Sequence, residues 1–394
     1  MPRVLALLVL ILPWLGGCGT MADPREWFGG DDGPEPAELQ DFEPLIRPAE
    51  HWTVSVPAGD ARFNRLVVAV GDQNLYVAGA DGALEARDRE TGKLVWRVET
   101  GLPLSAGPGL GEDLLVAGTV EGEVVAWDRT NGAERWRRQV SGQVLAVPAV
   151  GEGTVVVHTE AGNLHGLDAI DGSPRWLYNH DTPVLTLHGT ASPVISGTSV
   201  YCGLAGGKLV ALDLETGRLE WERQVAVPAG RSEIERMVDV DADPLVDDGT
   251  VYAAAYQGAV AAMGEGSGKI FWKRKMSVYN NLAVDWRQLA ASDDQGRLWS
   301  LDPESGAARW RVESLRYRKL SPPAILDDYV VVGDGEGYLH WFSAEDGRPA
   351  ARNHLTGAAI VAQPVVRDGV LYVLAVDGTL TALGLPEEAP PPEE

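Results

Sequence analysis

Cysteine is scarce in this sequence: the 394 residues include only two, Cys18 and Cys202. The chain therefore cannot build the disulfide framework that holds many small exported domains together. Cys202 lies in the apolar run SVYCGLA and is predicted to be a buried, small hydrophobic residue rather than a reactive thiol. Basic residues are in the minority, with 33 Lys and Arg against 57 Asp and Glu, which gives a net charge of −24. This charge argues against nucleic acid as a partner and against a basic membrane-binding patch.

Motifs of catalysis and metal binding are missing as well. The seven histidines are scattered, and only His158 and His165 lie close together, without the spacing of a zinc site. The sequence has no G-x-S-x-G and no Walker loop, and its recurring glycines are typical of turns. The run DVDAD at 239–243 resembles a calcium loop, but Pro244 follows where an EF-hand needs glycine. These observations favour a protein without catalytic residues, cofactor or metal.

The N-terminus is typical of an exported lipoprotein. A short basic start precedes the apolar stretch VLALLVLILPWL, and the stretch ends in LGGC, which resembles a bacterial lipobox. We therefore predict a signal peptide over residues 1–17 and lipid attachment at Cys18. Gly19 follows the cysteine instead of the aspartate that resembles an inner-membrane retention signal, so the outer membrane is the favoured destination.

Both ends of the mature chain are rich in proline and acidic residues. Residues 18–50 also contain many glycines and are predicted to be a flexible tether. Residues 386–394 are predicted to be a disordered acidic tail. The folded part is therefore expected to span residues 51–385.

A motif of about 40 residues recurs through this folded part. GEVVAWDRTNGAERW at Gly122–Trp136 returns as GKLVALDLETGRLEW at Gly207–Trp221. When the copies are aligned by their first glycine, all eight have Leu or Val two residues later. Seven copies have a second glycine at the tenth residue, and six have tryptophan at the fourteenth. The copies begin at Gly82, Gly122, Gly162, Gly207, Gly258, Gly296, Gly337 and Gly378.

Each copy predicts strands and turns. Runs such as LVALD and TVVVHT are too short and too β-branched for helices. Two further strands precede each first glycine, so one unit holds four antiparallel strands, the size of a propeller blade. The second glycine is expected to close a turn in the left-handed conformation, and the tryptophan to pack against the neighbouring blade. The predicted anchors are Trp52, Trp96, Trp136, Trp176, Trp221, Trp272 and Trp310.

The two ends of the repeat array predict how the ring closes. The eighth copy stops before its tryptophan, whereas Trp52 precedes the first copy. If residues 51–56 supply the outer strand of the last blade, the ring closes and leaves no free sheet edge at its ends. The sequence therefore predicts an all-β fold, an eight-bladed β-propeller of four-stranded antiparallel blades.

Two consecutive connections between blades are longer than the others. The spacing from tryptophan to the proline of the next inner strand is 12 residues in three blades, but 17 at Trp176–Pro193 and 23 at Trp221–Pro244. Both connections run from an outer to an inner strand, so we expect them side by side on one face as a composite surface. The leucines of the first connection could instead fold back on their blade. The candidate residues of this surface are Leu185, Leu187 and His188 in the first connection, and Arg236, Asp239 and Asp241 in the second, where the two aspartates form a small carboxylate patch if the chain is extended.

The repeat LDxxTGxxxW resembles that of pyrroloquinoline-quinone dehydrogenase propellers. Those enzymes generally add long loops, calcium ligands and, in many, a pair of adjacent cysteines, whereas this chain has no Cys-Cys and nearly minimal units. The lipobox, the eight repeats and the segments LTLHGTASP and SEIERMVDVDADP together resemble the BamB family, lipoproteins of the outer-membrane β-barrel assembly machinery.

The second resemblance implies a non-enzymatic scaffold, anchored by Cys18 at the periplasmic face of the outer membrane. It implies docking on a POTRA domain of a BamA-like barrel subunit, indirect contact with other assembly lipoproteins, and contact positions at the six candidates above. His188 stands where the family usually has arginine and lacks the guanidinium fork. Exposed strand edges could also recruit nascent outer-membrane proteins by strand addition. The rival hypothesis is a quinone-dependent or small-ligand-binding periplasmic propeller, with its ligand in the central funnel.

Overall fold

The computed structural model describes residues 34–59, 64–180, 190–228, 231 and 237–386. The regular secondary structure of these residues consists of 33 strands. None of the described residues belongs to a helix that could span a membrane. Cys18 and the predicted signal peptide lie outside the described residues, as does most of the predicted acidic tail.

The strands follow one another blade by blade, in the order expected for a propeller. Two strands precede the first blade: β1 (Ala49–Ser55) and β2 (Arg65–Leu66). Blade 1 holds β3 (Ala69–Val70), β4 (Asn74–Ala78), β5 (Ala83–Asp88) and β6 (Leu94–Glu99). Blade 2 holds β7 (Leu104–Leu110), β8 (Leu114–Thr119), β9 (Glu123–Asp128) and β10 (Glu134–Gln139). Blade 3 holds β11 (Ala149–Gly151), β12 (Thr154–His158), β13 (Leu164–Asp168) and β14 (Pro174–Tyr178).

The next three blades continue in the same way. Blade 4 holds β15 (Val194–Ser196), β16 (Ser199–Leu204), β17 (Lys208–Asp213) and β18 (Leu219–Gln224). Blade 5 holds β19 (Leu245–Asp247), β20 (Thr250–Ala254), β21 (Ala259–Gly264) and β22 (Ile270–Lys275). Blade 6 holds β23 (Ala283–Val284), β24 (Leu289–Ser292), β25 (Leu298–Leu301) and β26 (Ala308–Val312).

The last two blades bring the two ends of the ring together. Blade 7 holds β27 (Ala324–Leu326), β28 (Tyr329–Gly333), β29 (Tyr338–Ser343) and β30 (Pro349–His354). Blade 8 holds β31 (Val365–Arg367), β32 (Val370–Leu374) and β33 (Thr379–Gly384), with β1 as its outer strand. The predicted eight-bladed, all-β propeller is therefore confirmed.

Strand β1 closes the ring as the sequence predicted. It pairs antiparallel with β33, from Ala49 opposite Gly384 to Ser55 opposite Thr379. Trp52 thereby takes the place in blade 8 that the other anchors take in their own outer strands. Strand β2 pairs in parallel with the inner strand β7 and becomes the innermost strand of blade 2. The N-terminal part of the fold therefore bonds to blade 8 and to blade 2.

Tryptophan and glycine meet at seven of the eight seams between blades. Each tryptophan indole N–H donates to a carbonyl three residues before the second glycine of the next blade, over 2.8–3.2 Å. The indole ring covers that glycine so closely that an added methyl group would lie 2.5–2.9 Å from a ring carbon. The pairs are Trp52–Gly92, Trp96–Gly132, Trp136–Gly172, Trp176–Gly217, Trp221–Gly268, Trp272–Gly306 and Trp310–Gly347. The predicted packing of the anchors on neighbouring blades is confirmed.

The cores of the molecule lie between successive blades. Second and third strands such as β8 and β21 are buried on both faces, and the outer strands alternate between covered and exposed side chains. One core cluster contains Tyr201, Leu209 and Trp221 of blade 4 together with Val251 and Met263 of blade 5. Each blade is therefore stabilised mainly by its neighbours.

The segment 37–48 is part of the fold and not of the predicted flexible tether. The N–H of Ala37 donates to the Arg316 carbonyl over 2.9 Å, and the N–H of Leu45 donates to the Ala350 carbonyl over 2.8 Å. The Arg352 guanidinium lies 5.1 Å from the ring centre of Phe42, and Ile46 packs against the core cluster of blades 7 and 8. The tether predicted over residues 18–50 was too long at its C-terminal end, because a few apolar side chains bind this acidic segment to the ring.

Deletion of residues 51–57 should destabilise the whole ring. The deletion removes most of β1 and the Trp52 seam, whose burial is worth about 2–3 kcal/mol. We expect the thermal unfolding midpoint to fall by at least about 3–4 °C, in one cooperative transition. Removal of the same number of residues at the C-terminus, 388–394, is the control. An unchanged midpoint after the first deletion would contradict closure by β1.

Candidate partner-binding site

The candidate site lies on the face of the ring where outer strands connect to the next inner strands, which we call the upper face. Antiparallel order within each blade places these connections and the turns between second and third strands on that face. Four candidate contacts lie outside the described residues, namely Leu185, Leu187, His188 and Arg236. The structure describes the C-terminal ends of both long connections, residues 190–193 and 237–244.

The two long connections end side by side. The N–H of Ser192, at the end of the first connection, donates to Oδ1 of Asp243, at the end of the second, over 2.5 Å. The Ser192 hydroxyl in turn accepts the N–H of Val147 from blade 3, over 3.1 Å. The expectation that both connections emerge next to each other on one face is confirmed for these described ends.

Asp239 is buried and forms hydrogen bonds within the fold. Its side chain is only 3% exposed, and Oδ1 accepts the N–H of Gly206, in the turn between the second and third strands of blade 4, over 2.9 Å. Its carbonyl accepts the N–H of Tyr256 from blade 5 over 3.0 Å. Of the two aspartates predicted to form a carboxylate patch, Asp239 is therefore buried, where it joins the second long connection to blades 4 and 5.

Asp241 is the half-buried carboxylate of this segment. Burial and the nearby charge of Asp239 raise its pKa to about 7, although the positive charge of Arg65 partly opposes this rise. The carboxyl group is therefore close to half ionised at neutral pH. An opposite charge brought by a partner would favour the ionised form.

Arg65 is a residue of this region that sequence reasoning missed. Its guanidinium forms a 2.8 Å ion pair with Asp243 and donates to the Thr190 carbonyl over 2.9 Å. Arg65 thus contacts the ends of both long connections. A single arginine among 33 basic residues is a weak sequence signal of a functional role. The repeat pattern also gives no reason to pair residue 65 with residue 243.

Cys202 and His158 lie beneath the end of the first long connection. Both side chains are buried, with the sulfur 3.3 Å from Nδ1 of the imidazole, and Nδ1 lies 2.9 Å from the Ala191 carbonyl. Burial lowers the pKa of His158 to about 4 and raises that of the Cys202 thiol. Both groups are therefore neutral near pH 7, and the prediction of a buried, unreactive cysteine is confirmed.

The candidate surface has no described metal site. Within the ranges that the structure describes, no group of three or more His, Cys, Asp or Glu side chains is placed to hold an ion. Asp239 and Asp243 direct their carboxylates to backbone N–H groups. Both carboxylates are therefore held by hydrogen bonds within the fold.

The fold and this surface define the chain first as an eight-bladed propeller with quinoprotein-like repeats. The quinohemoprotein alcohol dehydrogenase of Comamonas testosteroni has a similar fold, with a TM-score of 0.67 and 14% identity over 88% of this chain and 78% of that one. The structure of BamB from Moraxella catarrhalis matches more closely, with a TM-score of 0.79 and 25% identity over 86% of this chain and 100% of that one.

Sequence comparison identifies the family. The family model described as outer membrane protein assembly factor BamB matches residues 80–312 and 300–385. The outer membrane protein assembly factor BamB of Alkalilimnicola ehrlichii is 51% identical over 353 residues, which is 89% of this chain and 92% of that protein. The chain belongs to the BamB family.

Asp241→Asn should raise the stability of the protein above neutral pH. Because the pKa of Asp241 is higher in the folded state than the ordinary 3.8, the wild type loses stability as pH rises from about 4 to 7. The asparagine variant lacks this loss, so its unfolding free energy at pH 8 should exceed the wild-type value by up to about 4 kcal/mol. The difference should vanish at pH 4. Chemical denaturation at both pH values measures it, and equal stabilities at pH 8 would contradict the burial of an ionised carboxylate.

Proposed function

We propose that this chain is a non-enzymatic scaffold of the outer-membrane β-barrel assembly machinery. It docks on a periplasmic POTRA domain of a BamA-like barrel subunit and assists the folding and insertion of outer-membrane proteins. The observation that carries the proposal is the family match along almost the entire ring, residues 80–385. The fold alone would not suffice, because dehydrogenases share it.

The docking surface of this proposal is formed by the two long connections of the upper face. Their described ends are tied together by the bond between Ser192 and Asp243, so both connections present their residues to one partner. Asp241 supplies a half-buried carboxylate without a hydrogen bond among the described residues. A basic residue of the partner would pair with it, and Leu185 and Leu187 would add apolar contact. Arg236, His188 and Asp239 complete the proposed surface, with Asp239 acting from within the fold.

The proposed anchor is a lipid on Cys18. It holds the protein at the periplasmic face of the outer membrane, near the other lipoproteins of the machinery. The net charge of −24 supplies no attraction to an acidic membrane surface, so attachment depends on the lipid. Nascent outer-membrane proteins are further proposed partners, through pairing with exposed strand edges.

The rival function, a quinone-dependent dehydrogenase, fits the residues poorly. Side chains at the upper, axial end of the ring bond to each other: Asn281 donates to Asp243 over 2.9 Å and to Gln363 over 3.3 Å. The only two cysteines are far apart in sequence, and Cys202 is buried beneath Ala191. The polar side chains of Asn281, Asp243 and Gln363 therefore form hydrogen bonds with one another instead of facing a site where a quinone could bind.

Leu187→Ala and Asp241→Asn should each weaken docking while the fold stays intact. Each change removes one proposed contact, and we expect roughly tenfold weaker binding for each, as is common for an interface contact worth 1–2 kcal/mol. Binding of the full-length protein in detergent to the purified, soluble POTRA domains of the barrel subunit measures this.

Matched controls are available on the same molecule. Leu94→Ala changes a leucine that is 51% exposed on blade 1, and Asp247→Asn changes an exposed carboxylate at the lower end of the inner strand of blade 5. Both controls should bind as the wild type does. Because Asp241→Asn is expected to stabilise the fold at pH 8, weaker binding by that variant cannot result from unfolding. If both Leu187→Ala and Asp241→Asn bind with wild-type affinity, the proposed docking site is refuted.

Docking should also weaken in mild acid. A basic partner residue binds the ionised form of Asp241, whose pKa in the free protein is about 7. Protonation therefore competes with docking, and affinity should fall roughly tenfold between pH 8 and pH 6. The Asp241→Asn variant should lose this part of the pH dependence. A wild-type affinity that stays constant over this range would show that Asp241 does not meet a cation.

A further inference from the structure

Arg65 reaches from one side of the ring to the other. It belongs to β2, which pairs with the inner strand β7 of blade 2, whereas its ion-pair partner Asp243 lies two residues before the inner strand β19 of blade 5. Blades 2 and 5 are three steps apart in the eight-bladed ring. The 2.8 Å contact between Nη2 and Oδ2 therefore crosses the axial end of the propeller.

The guanidinium fork joins three separate segments. Nη1 donates to the Thr190 carbonyl over 2.9 Å, and Nη2 donates to Oδ1 of Asn281 over 3.2 Å in addition to its pair with Asp243. Thr190 and Asp243 end the first and second long connections, and Asn281 precedes blade 6. A single side chain thus fixes the ends of both connections relative to a third blade.

The side chains that bind Arg65 are held in place by further hydrogen bonds. Asn281 accepts the N–H of Asp243 over 2.8 Å and donates to Oδ2 of the same residue over 2.9 Å. Gln363 of blade 8 donates to the carbonyls of Leu282 and Pro323 over 3.1 and 2.9 Å. This hydrogen-bonded network leaves Asp243 little freedom, so a change at Arg65 acts on the ends of the connections and not on a mobile side chain.

We propose that Arg65 is a positioning residue of the docking surface, which holds the ends of both long connections in the geometry that the partner recognises. The inference rests on the proposed docking function. The second connection is the more directly affected, because Asp241 lies two residues from Asp243. Side chains and loops that are already ordered before binding lose less entropy on association.

Arg65 also acts on Asp241 through its charge. The positive guanidinium lowers the pKa of Asp241, against the opposing influences of burial and Asp239. Among the described residues, no other basic group contributes to this carboxyl, so Arg65 alone offsets part of the repulsion from Asp239. Loss of Arg65 should therefore raise the pH above which Asp241 is ionised.

Arg65→Met tests the inference, with full-length protein in detergent and purified POTRA domains as the probe. The variant keeps an unbranched apolar side chain but loses both the ion pair and the bond to Thr190. We expect about tenfold weaker binding at pH 8, in keeping with a charged hydrogen bond in a positioning role, and a binding midpoint in pH that moves upward. Arg65→Lys restores the charge without the fork, so it should return the pH midpoint towards the wild-type value and only part of the affinity.

A matched control separates positioning from general loss of an inter-blade ion pair. Arg367 of blade 8 pairs with Asp72 of blade 1 over 2.8 Å, at the lower ends of the inner strands. Arg367→Met should therefore leave both affinity and pH midpoint unchanged. A purely structural role of Arg65 would lower stability without moving the pH midpoint, and that result would overturn the inference.

The outcomes distinguish this inference from the proposed function. If Asp241→Asn and Leu187→Ala weaken binding but Arg65→Met matches the wild type in affinity and pH midpoint, the docking surface stands and the role of Arg65 is refuted. If none of the three weakens binding, the proposed function itself fails. Should Arg65→Met not fold, Asp243→Asn replaces it, since it removes the charge that Arg65 pairs with and keeps one acceptor oxygen. Wild-type affinity of that variant would also refute the inference.

Discussion

The fit of an indole ring over a glycine turn is the interaction on which this ring depends. At seven seams a tryptophan of one blade covers a glycine of the next and donates its N–H to a carbonyl of the same turn. All seven glycines adopt a positive φ, from 62° to 73°, so both the backbone conformation and the contact with the ring require glycine there. The relative orientation of successive blades is thereby fixed at seven of the eight steps, and β1 closes the ring by completing blade 8.

The repeated part of this arrangement could be predicted because the glycine and tryptophan motif recurs many times in the sequence. Blade number, closure and the role of Trp52 all follow from the spacing of glycine and tryptophan. The seam between blades 7 and 8 could not be predicted in the same way, since Ala351 replaces tryptophan and the chain ends interrupt the turn of blade 8. Ile46 packs at this seam instead. Its segment lacks any periodicity and contains several acidic residues, so composition indicated a tether where a few apolar contacts order the chain.

The proposed docking surface also combines features that local sequence patterns predict with contacts that they do not predict. Local spacing located the two long connections, because an insertion is visible wherever a repeat is regular. It could not tell which carboxylates face solvent. Asp239 is buried because a turn of blade 4, more than 30 residues away, offers it an N–H, and Arg65 was missed because its partner is 178 residues distant. Contacts across a closed ring are set by the circle as a whole, and single-sequence patterns do not record them.

One stretch of chain links ring closure to the docking surface. Residues 37–48 bind the outside of blade 7, β1 completes blade 8, and Arg65 follows β1 by ten residues and crosses to blade 5. The half-buried Asp241 weakens the fold when it is ionised, and a ring with many stabilising seams tolerates such a cost. In the proposed docking, the partner would supply the missing opposite charge. Arg65 can offset that cost only while blades 2 and 5 stand at a fixed distance across the axis. The position of the carboxylate that we propose for docking is therefore fixed by the closed ring, and not only by the blade that carries it.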